Sequence, residues 1–193
     1  VYKRQSRTRQ VSGVKVEVTS LGSGEASELK TISVEIVVNC AGLWGHRVGK
    51  MAGVNVPLHA AEHFYIVTEN IDLPSTLPVL RDPSSWIYAK EDAGKMLVGC
   101  FEPKSKPRPL NTIPEDFSFG QFEEDWEHFE PAMLNAMHRI PKLEDAGIHT
   151  FFNGPESFTP DDRYILGEAP ELKNFYVAAG LNSIGIQSAG GAG

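Results

Sequence analysis

The chain has 193 residues, enough for one domain or two small ones, and 41% of them are apolar, which supports a packed core and excludes an intrinsically disordered chain. A formal net charge of −7 argues against a nucleic-acid partner. No run of about 18 apolar residues is present, so no membrane span is expected, and no charged-then-apolar leader opens the chain.

The basic residues Lys3, Arg4, Arg7 and Arg9 form a short local cluster that reads as a solvated end. Cys40 and Cys100 lie in separate apolar runs without CxxC spacing, and the six histidines show neither HxxxH nor HExxH. Two reduced thiols and no metal site follow from that pattern. Both ends read as cut. No Met begins the chain, residues 1–5 read as an artificial end, and the last residues Ser188-Ala189-Gly190-Gly191-Ala192-Gly193 resemble the opening of a helix more than a close.

In chain order, Val14, Val16 and Val18 alternate with Lys15, Glu17 and Thr19, a half-buried strand. A turn at Leu21-Gly22-Ser23-Gly24-Glu25 leads to a second strand over residues 31–38. Its continuous apolar ending, Ile36-Val37-Val38, suits a strand buried on both faces of a parallel sheet. A short helix then sets Trp44, Val48 and Met51 on one face, with Gly53 as its stop. The middle reads as short strands at 63–68, 79–81, 86–89 and 96–101, the last two forming a hairpin around Asp92-Ala93-Gly94. Residues 103–109 read as a surface loop. Phe122, Trp126, Phe129, Met133, Met137 and Ile140 keep a helical stripe, and Pro131 predicts a kink or a new helix start. Strands at 148–152 and 174–179 follow, separated by a proline-rich loop over 154–164. The fold class is therefore α/β (mixed α+β), with α/β segments at both ends flanking a more antiparallel middle.

Four constellations could carry chemistry. The first is Asn39-Cys40-Ala41-Gly42-Leu43-Trp44, a strand-to-helix turn of small residues at which a ligand can approach a helix N-terminus; a turn with no ligand has the same pattern. The second is the loop Gly180-Leu181-Asn182-Ser183-Ile184-Gly185, after an apolar strand and before an Ala/Gly-rich helix start. It suits an anionic ring edge such as that of a reduced flavin, with Asn182 and Ser183 as hydrogen-bonding groups, and equally suits a turn kept for tight packing. The third is His63 with Tyr88 on nearby strands, a pair able to accept or orient a proton; Tyr65 competes with Tyr88 for the role, and a satisfied core histidine is the plain alternative. The fourth is the run from Gly154 to Tyr164, where Arg163, like Arg81 elsewhere, could face a substrate carboxylate or be an ordinary surface arginine.

These segments, in this order, resemble the D-amino-acid-oxidase-type FAD-dependent oxidoreductases, and within them the dimethylglycine/sarcosine dehydrogenase group. The resemblance rests on Ile36-Val37-Val38-Asn39-Cys40-Ala41-Gly42-Leu43-Trp44, Glu62-His63-Phe64-Tyr65-Ile66-Val67-Thr68 and Pro78-Val79-Leu80-Arg81-Asp82. It extends through Glu124-Asp125-Trp126-Glu127-His128-Phe129, Gly154-Pro155-Glu156-Ser157-Phe158-Thr159-Pro160-Asp161 and Gly167-Glu168-Ala169-Pro170 to the loop from Gly180 to Gly185. It implies part of an FAD-binding Rossmann-like domain (residues 1–50), a substrate domain of antiparallel sheet and helices (51–157), and a return to the FAD domain (158–193). Implied FAD contacts are Val11 on the adenine side, Ala41, Gly42 and Trp44, and the loop of Gly180, Leu181, Asn182, Ser183, Ile184 and Gly185 at the isoalloxazine. His63 and Tyr88 fall at the group's active-site His and Tyr. The implied reaction is oxidative demethylation of dimethylglycine, sarcosine or a similar N-methyl amino acid, yielding formaldehyde or methylenetetrahydrofolate.

The resemblance also implies that the glycine fingerprint, the acidic ribose ligand and a flavin-anchoring histidine lie upstream, that a tetrahydrofolate domain is absent from this stretch, and that the stretch alone neither holds FAD tightly nor turns over. Oxygen or an electron-transfer flavoprotein would accept electrons, in a bacterial cytoplasm or the mitochondrial matrix. Two competing readings are a non-catalytic regulator similar to the regulatory subunit of pyruvate dehydrogenase phosphatase, and another oxidase of the superfamily, such as a glycine or glycerol-3-phosphate oxidoreductase.

Overall fold

The computed structural model describes residues 9–18 and 28–193. The predicted turn from Leu21 to Glu25 and the basic residues Lys3, Arg4 and Arg7 lie outside the described residues. The chain forms two compact units, one from Val1–Leu58 with Ser157–Gly193 and one from His59–Glu156. The elements before the second unit are β1 (Gly13–Val18), β2 (Glu28–Ser33), β3 (Val37–Asn39) and α1 (Gly45–Ala52). Next come β4 (His59–Thr68), β5 (Leu80–Asp82), β6 (Ile87–Asp92), β7 (Lys95–Cys100), β8 (Pro107–Arg108), α2 (Trp126–Arg139) and β9 (Ile148–Phe158). The last are β10 (Ile165–Glu168), β11 (Phe175–Ala179) and α3 (Gly185–Ala192).

In the first unit the strand expected over residues 31–38 is two strands. β2 is tied antiparallel to β1, with Val14 opposite Ile32, whereas β3 runs parallel to β11, with Val37 opposite Phe175. One straight strand cannot serve both partners, so the chain bends at Glu35 between them. The parallel pairing matches the apolar ending, but burial on both faces does not: Ile36 and Val38 are more than half exposed, and β3 is an edge of the β10–β11–β3 sheet. β10 carries no alternation and escaped the sequence reading; it exists through antiparallel pairing with β11.

α1 ends at Gly53, whose φ of 70° places it in the left-handed region that stops a helix. Its packing face is Gly45 and Gly49 rather than the predicted stripe, and Met51 is 85% exposed. A Cβ on Gly49 would sit 2.6 Å from Val56 Cγ2, and one on Gly45 would touch the Ala179 methyl at 3.5 Å. Close approach of the helix to the segment at Val54 and Val56 and to the end of β11, not apolar bulk, sets this contact.

The second unit is an antiparallel sheet ordered β5–β6–β7–β4–β8, with β9 also pairing β4. The predicted hairpin is β6–β7, turned at Ala93 and Gly94, both with positive φ (51° and 83°) as a type I′ turn requires. Phe64, Ile66, Ile87, Val98 and Cys100 of the sheet pack against Phe129, Ala132 and Ala136 of α2. Asp125 caps α2 by accepting from His128 N at 3.0 Å. The helix runs through Pro131 without the expected restart. Pro131 and Glu127 are both exposed, so the carbonyl left without a donor lies on the solvent side, where its cost is smallest. The expected loop over 154–164 is also shorter: β9 continues through Gly154, Pro155 and Glu156, because pairing to β4 overrides the local turn signals.

Candidate functional site

In the first unit the parallel register sets Asn39 beside Val177, so the chain leaves both strands at the same carboxyl end of the sheet. In open α/β sheets this is the edge at which ligands bind. Asn39 is buried and closes the first turn: its Nδ2 donates to Gly45 O at 2.8 Å and its Oδ1 accepts from Ala41 N at 3.3 Å. Gly42 is exposed with φ 53°, and among the described residues a Cβ there would meet nothing within 4 Å. Ala41 and Trp44 are half-buried beside it.

The loop after β11 is held open by unusual backbone. Gly180 (φ 66°), Asn182 (46°) and Ser183 (68°) are all left-handed. A Cβ on Gly180 would overlap Thr159 Cγ2. Thr159 and Asn182 clasp each other: Thr159 N donates to Asn182 Oδ1 at 2.9 Å, and Asn182 Nδ2 donates to Thr159 Oγ1 at 3.1 Å. Asn182's amide is therefore occupied within the protein. Ser183 Oγ is buried and has no hydrogen-bond partner among the described residues. Leu181 is half-buried and accepts from Ile184 N at 3.0 Å, and Gly185 opens α3, which has no side-chain cap. Val11 stands elsewhere: its N–H donates to Lys173 O, before β11 begins, whereas Gly180 follows its end, a separation of roughly 20 Å along the strand. Arg163 is exposed, and its backbone N–H donates to Asp161.

In the second unit a cluster forms around His63 of β4. Tyr88 of β6 and Tyr65 of β4 both stand opposite Gly99 of β7. Tyr88 crosses the glycine, and its Oη lies 3.4 Å from His63 Nε2. Tyr65 instead stacks on Phe152 at 4.7 Å, so it is Tyr88 that meets His63. Phe101 tilts against both rings at 5.5 Å, and the Arg81 guanidinium lies 5.0 Å over Phe101. On the other side of the imidazole, Glu156 Oε2 is 3.4 Å from Nδ1, within ion-pair distance but not aligned as a hydrogen bond.

Burial pushes the Tyr88 hydroxyl well above the ordinary phenol range, with Cys100, Glu156, Glu102 and Tyr65 adding to the effect. Burial likewise pushes the Cys100 thiol up, helped by Glu102, so it remains an unreactive thiol. Glu156, Phe101 and Glu102 escaped the sequence reading. Glu156 lies in a run whose glycine and prolines point to a loop, and no local pattern marks it as a strand residue beside His63. Among the described residues, no group of three or more His, Cys, Asp or Glu is arranged to hold a metal, and no helix is long and apolar enough to cross a membrane.

Residues 3–193 match the family described as FAD dependent oxidoreductase, and the chain belongs to that family. Its relatives narrow the group. It is 39% identical over 187 residues to mitochondrial sarcosine dehydrogenase of Mus musculus, which covers 95% of this chain and 20% of that protein. It is 43% identical over 172 residues to 4-methylaminobutanoate oxidase (formaldehyde-forming) of Paenarthrobacter nicotinovorans, covering 88% and 21%, and mitochondrial dimethylglycine dehydrogenases match as well. The mitochondrial regulatory subunit of pyruvate dehydrogenase phosphatase of Mus musculus is 38% identical over 176 residues, covering 89% and 20%. The chain thus spans about a fifth of the length of these curated relatives. The solved structure of L-proline dehydrogenase from P. horikoshii shares the fold, with a TM-score of 0.67 at 21% identity over 84% of this chain and 42% of that one.

Proposed function

We propose that this chain belongs to an enzyme that oxidises an N-methyl amino acid by hydride loss from the methyl carbon, with FAD, when bound, as the two-electron acceptor. The observation that carries the proposal is the contact of His63 Nε2 with Tyr88 Oη in a wall completed by Phe101 and Arg81. An ammonium resists hydride loss, because the lone pair that assists departure is tied up in an N–H bond. His63 and Tyr88 can hold or take that proton, and Tyr88 does so as a neutral hydroxyl. Arg81, and Arg163 as a second candidate, would bind the amino-acid carboxylate. Water then releases formaldehyde from the oxidised methyl group, or the one-carbon unit passes to tetrahydrofolate.

The first unit supplies the residues suited to FAD. Open space at Gly42, the orphaned buried hydroxyl of Ser183 and the uncapped start of α3 fit a flat, polar, partly anionic group. Ala41, Gly42, Trp44 and the loop from Gly180 to Gly185 would contact it, and Val11 would serve its distant adenine end. On this reading residues 1–50 and 158–193 serve the cofactor and 51–157 the substrate. Oxygen or an electron-transfer flavoprotein takes the electrons, in the mitochondrial matrix or a bacterial cytoplasm. The test is formaldehyde release by the flavin-loaded full-length protein from sarcosine, dimethylglycine and 4-methylaminobutanoate. Release from one or more of them supports the reading; a flavin-loaded protein inert to all three contradicts it. The 38% identity to the phosphatase regulatory subunit favours a second reading, a non-catalytic regulator, for which that inert result is the expectation.

A further inference from the structure

We propose that Glu156 is a positioning residue that fixes the tautomer of His63 and so sets the direction in which a proton passes between Tyr88 and His63; this rests on the amine-oxidation reading above. His63 is engaged from two sides. Its Nδ1 faces Glu156 Oε2 from β9 and its Nε2 faces Tyr88 Oη from β6, each at 3.4 Å. Glu156 Oε2 is shut off from solvent and has no hydrogen-bond partner among the described residues, so its nearest basic group is the imidazole.

A carboxylate oxygen offers only lone pairs. Set against an unprotonated Nδ1, it would put two acceptors face to face in a half-buried place. The tautomer with hydrogen on Nδ1 removes that conflict and leaves the lone pair on Nε2, pointing to Tyr88. Tyr88 then donates its hydrogen to Nε2 and keeps its oxygen lone pairs for an incoming N–H. The other titratable and charged groups around the pair are Arg81 on β5, Tyr65 on β4, and Cys100 and Glu102 at the end of β7. Among the described residues, Glu156 is the carboxylate within ion-pair distance of Nδ1.

The proton movement balances. The ammonium N–H bond breaks as the proton joins Tyr88 Oη. The original Tyr88 O–H bond breaks as the Nε2–H bond forms. One proton has left the substrate, no electron has moved, and the nitrogen regains its lone pair. His63 is then an imidazolium whose counter-charge is Glu156. With the opposite tautomer Nε2 already bears a hydrogen and cannot receive one.

The test is the ¹⁵N spectrum of the His63 ring in the flavin-loaded full-length protein, with turnover measured on sarcosine. Wild type is expected to show hydrogen on Nδ1. Glu156→Leu is expected to show a mixed or Nε2–H state, with kcat lower by about 10²-fold and KM within a factor of about three. Glu156→Gln, nearly isosteric, keeps an acceptor and is expected to restore the Nδ1–H state and part of kcat. Hydrogen on Nε2 in wild type, or an unchanged tautomer in Glu156→Leu, overturns the proposal. Should Glu156→Leu fail to fold, the wild-type tautomer still decides it. Absence of turnover with a tautomer that follows Glu156 would defeat the amine-oxidation reading alone.

Discussion

Gly99 stands directly across from Tyr88 on the neighbouring strand, and the space its missing side chain leaves is filled by the Tyr88 ring. A Cβ at Gly99 would overlap Tyr88 Oη, so the glycine is what permits Tyr88 to reach His63. Gly99→Ala is therefore expected to push the hydroxyl off the imidazole, destabilise the protein by about 1–3 kcal/mol through overpacking, and lower turnover. Chemical denaturation with a parallel assay checks this; unchanged turnover would show that the Tyr88–His63 contact is dispensable.

Tyr88→Phe separates packing from chemistry. The ring keeps its contact with Phe101, whereas the hydroxyl is lost. Stability is expected to change by less than about 1 kcal/mol, since a single weak hydrogen bond is removed, while kcat falls by about 10²-fold. A variant with wild-type kcat would take Tyr88 out of the proton path.

Much of this was legible in the sequence, for identifiable reasons. The β6–β7 hairpin announced itself through alternating residues around Asp92-Ala93-Gly94, and α1 through Gly53, because both signals are local. What escaped depends on partners distant in sequence. Nothing near Glu35 says that β2 belongs to β1 while β3 belongs to β11. Nothing near Pro155 says that a strand on β4 will carry the chain through a proline and set Glu156 beside His63. The candidate site shows the same division. By strand pattern Tyr88 and Tyr65 are equivalent; the family resemblance favours Tyr88, and in the structure the room at Gly99 and the stack on Phe152 separate the two rings.

Two glycines of one loop are expected to differ. A side chain at Gly180 meets left-handed backbone and the body of Thr159, whereas among the described residues one at Gly185 meets Leu181 alone, at 3.4 Å and beyond. Gly180→Val should lower flavin occupancy severely and Gly185→Val mildly, read as the ratio of visible to ultraviolet absorbance in the purified holoprotein. Asn182→Ala, which breaks the clasp on Thr159, should fall between them. Full occupancy in Gly180→Val would move the flavin away from this loop.

Acid sensitivity should be traceable to Asp82. Arg139 donates two hydrogen bonds to its carboxylate, and Ser85 adds others, holding its pKa below the ordinary value of 3.8. A carboxylate held down in the folded state adds stability that is fully present above its unfolded value and is lost as pH falls through the lower folded value. Asp82→Asn is thus expected to be less stable than wild type at neutral pH and to lose less on acidification below pH 4 or so. Parallel pH–stability curves for the two proteins would contradict the role given to Arg139.

The most direct measurement is anaerobic rapid mixing of the flavin-loaded full-length protein with sarcosine, following loss of flavin absorbance in wild type and in His63→Ala. Bleaching in wild type and a rate lower by about 10²-fold in the variant is the expected result. Equal rates in the two proteins would mean that His63 takes no part in freeing the amine lone pair, and the cluster on β4, β6 and β9 would then need another purpose.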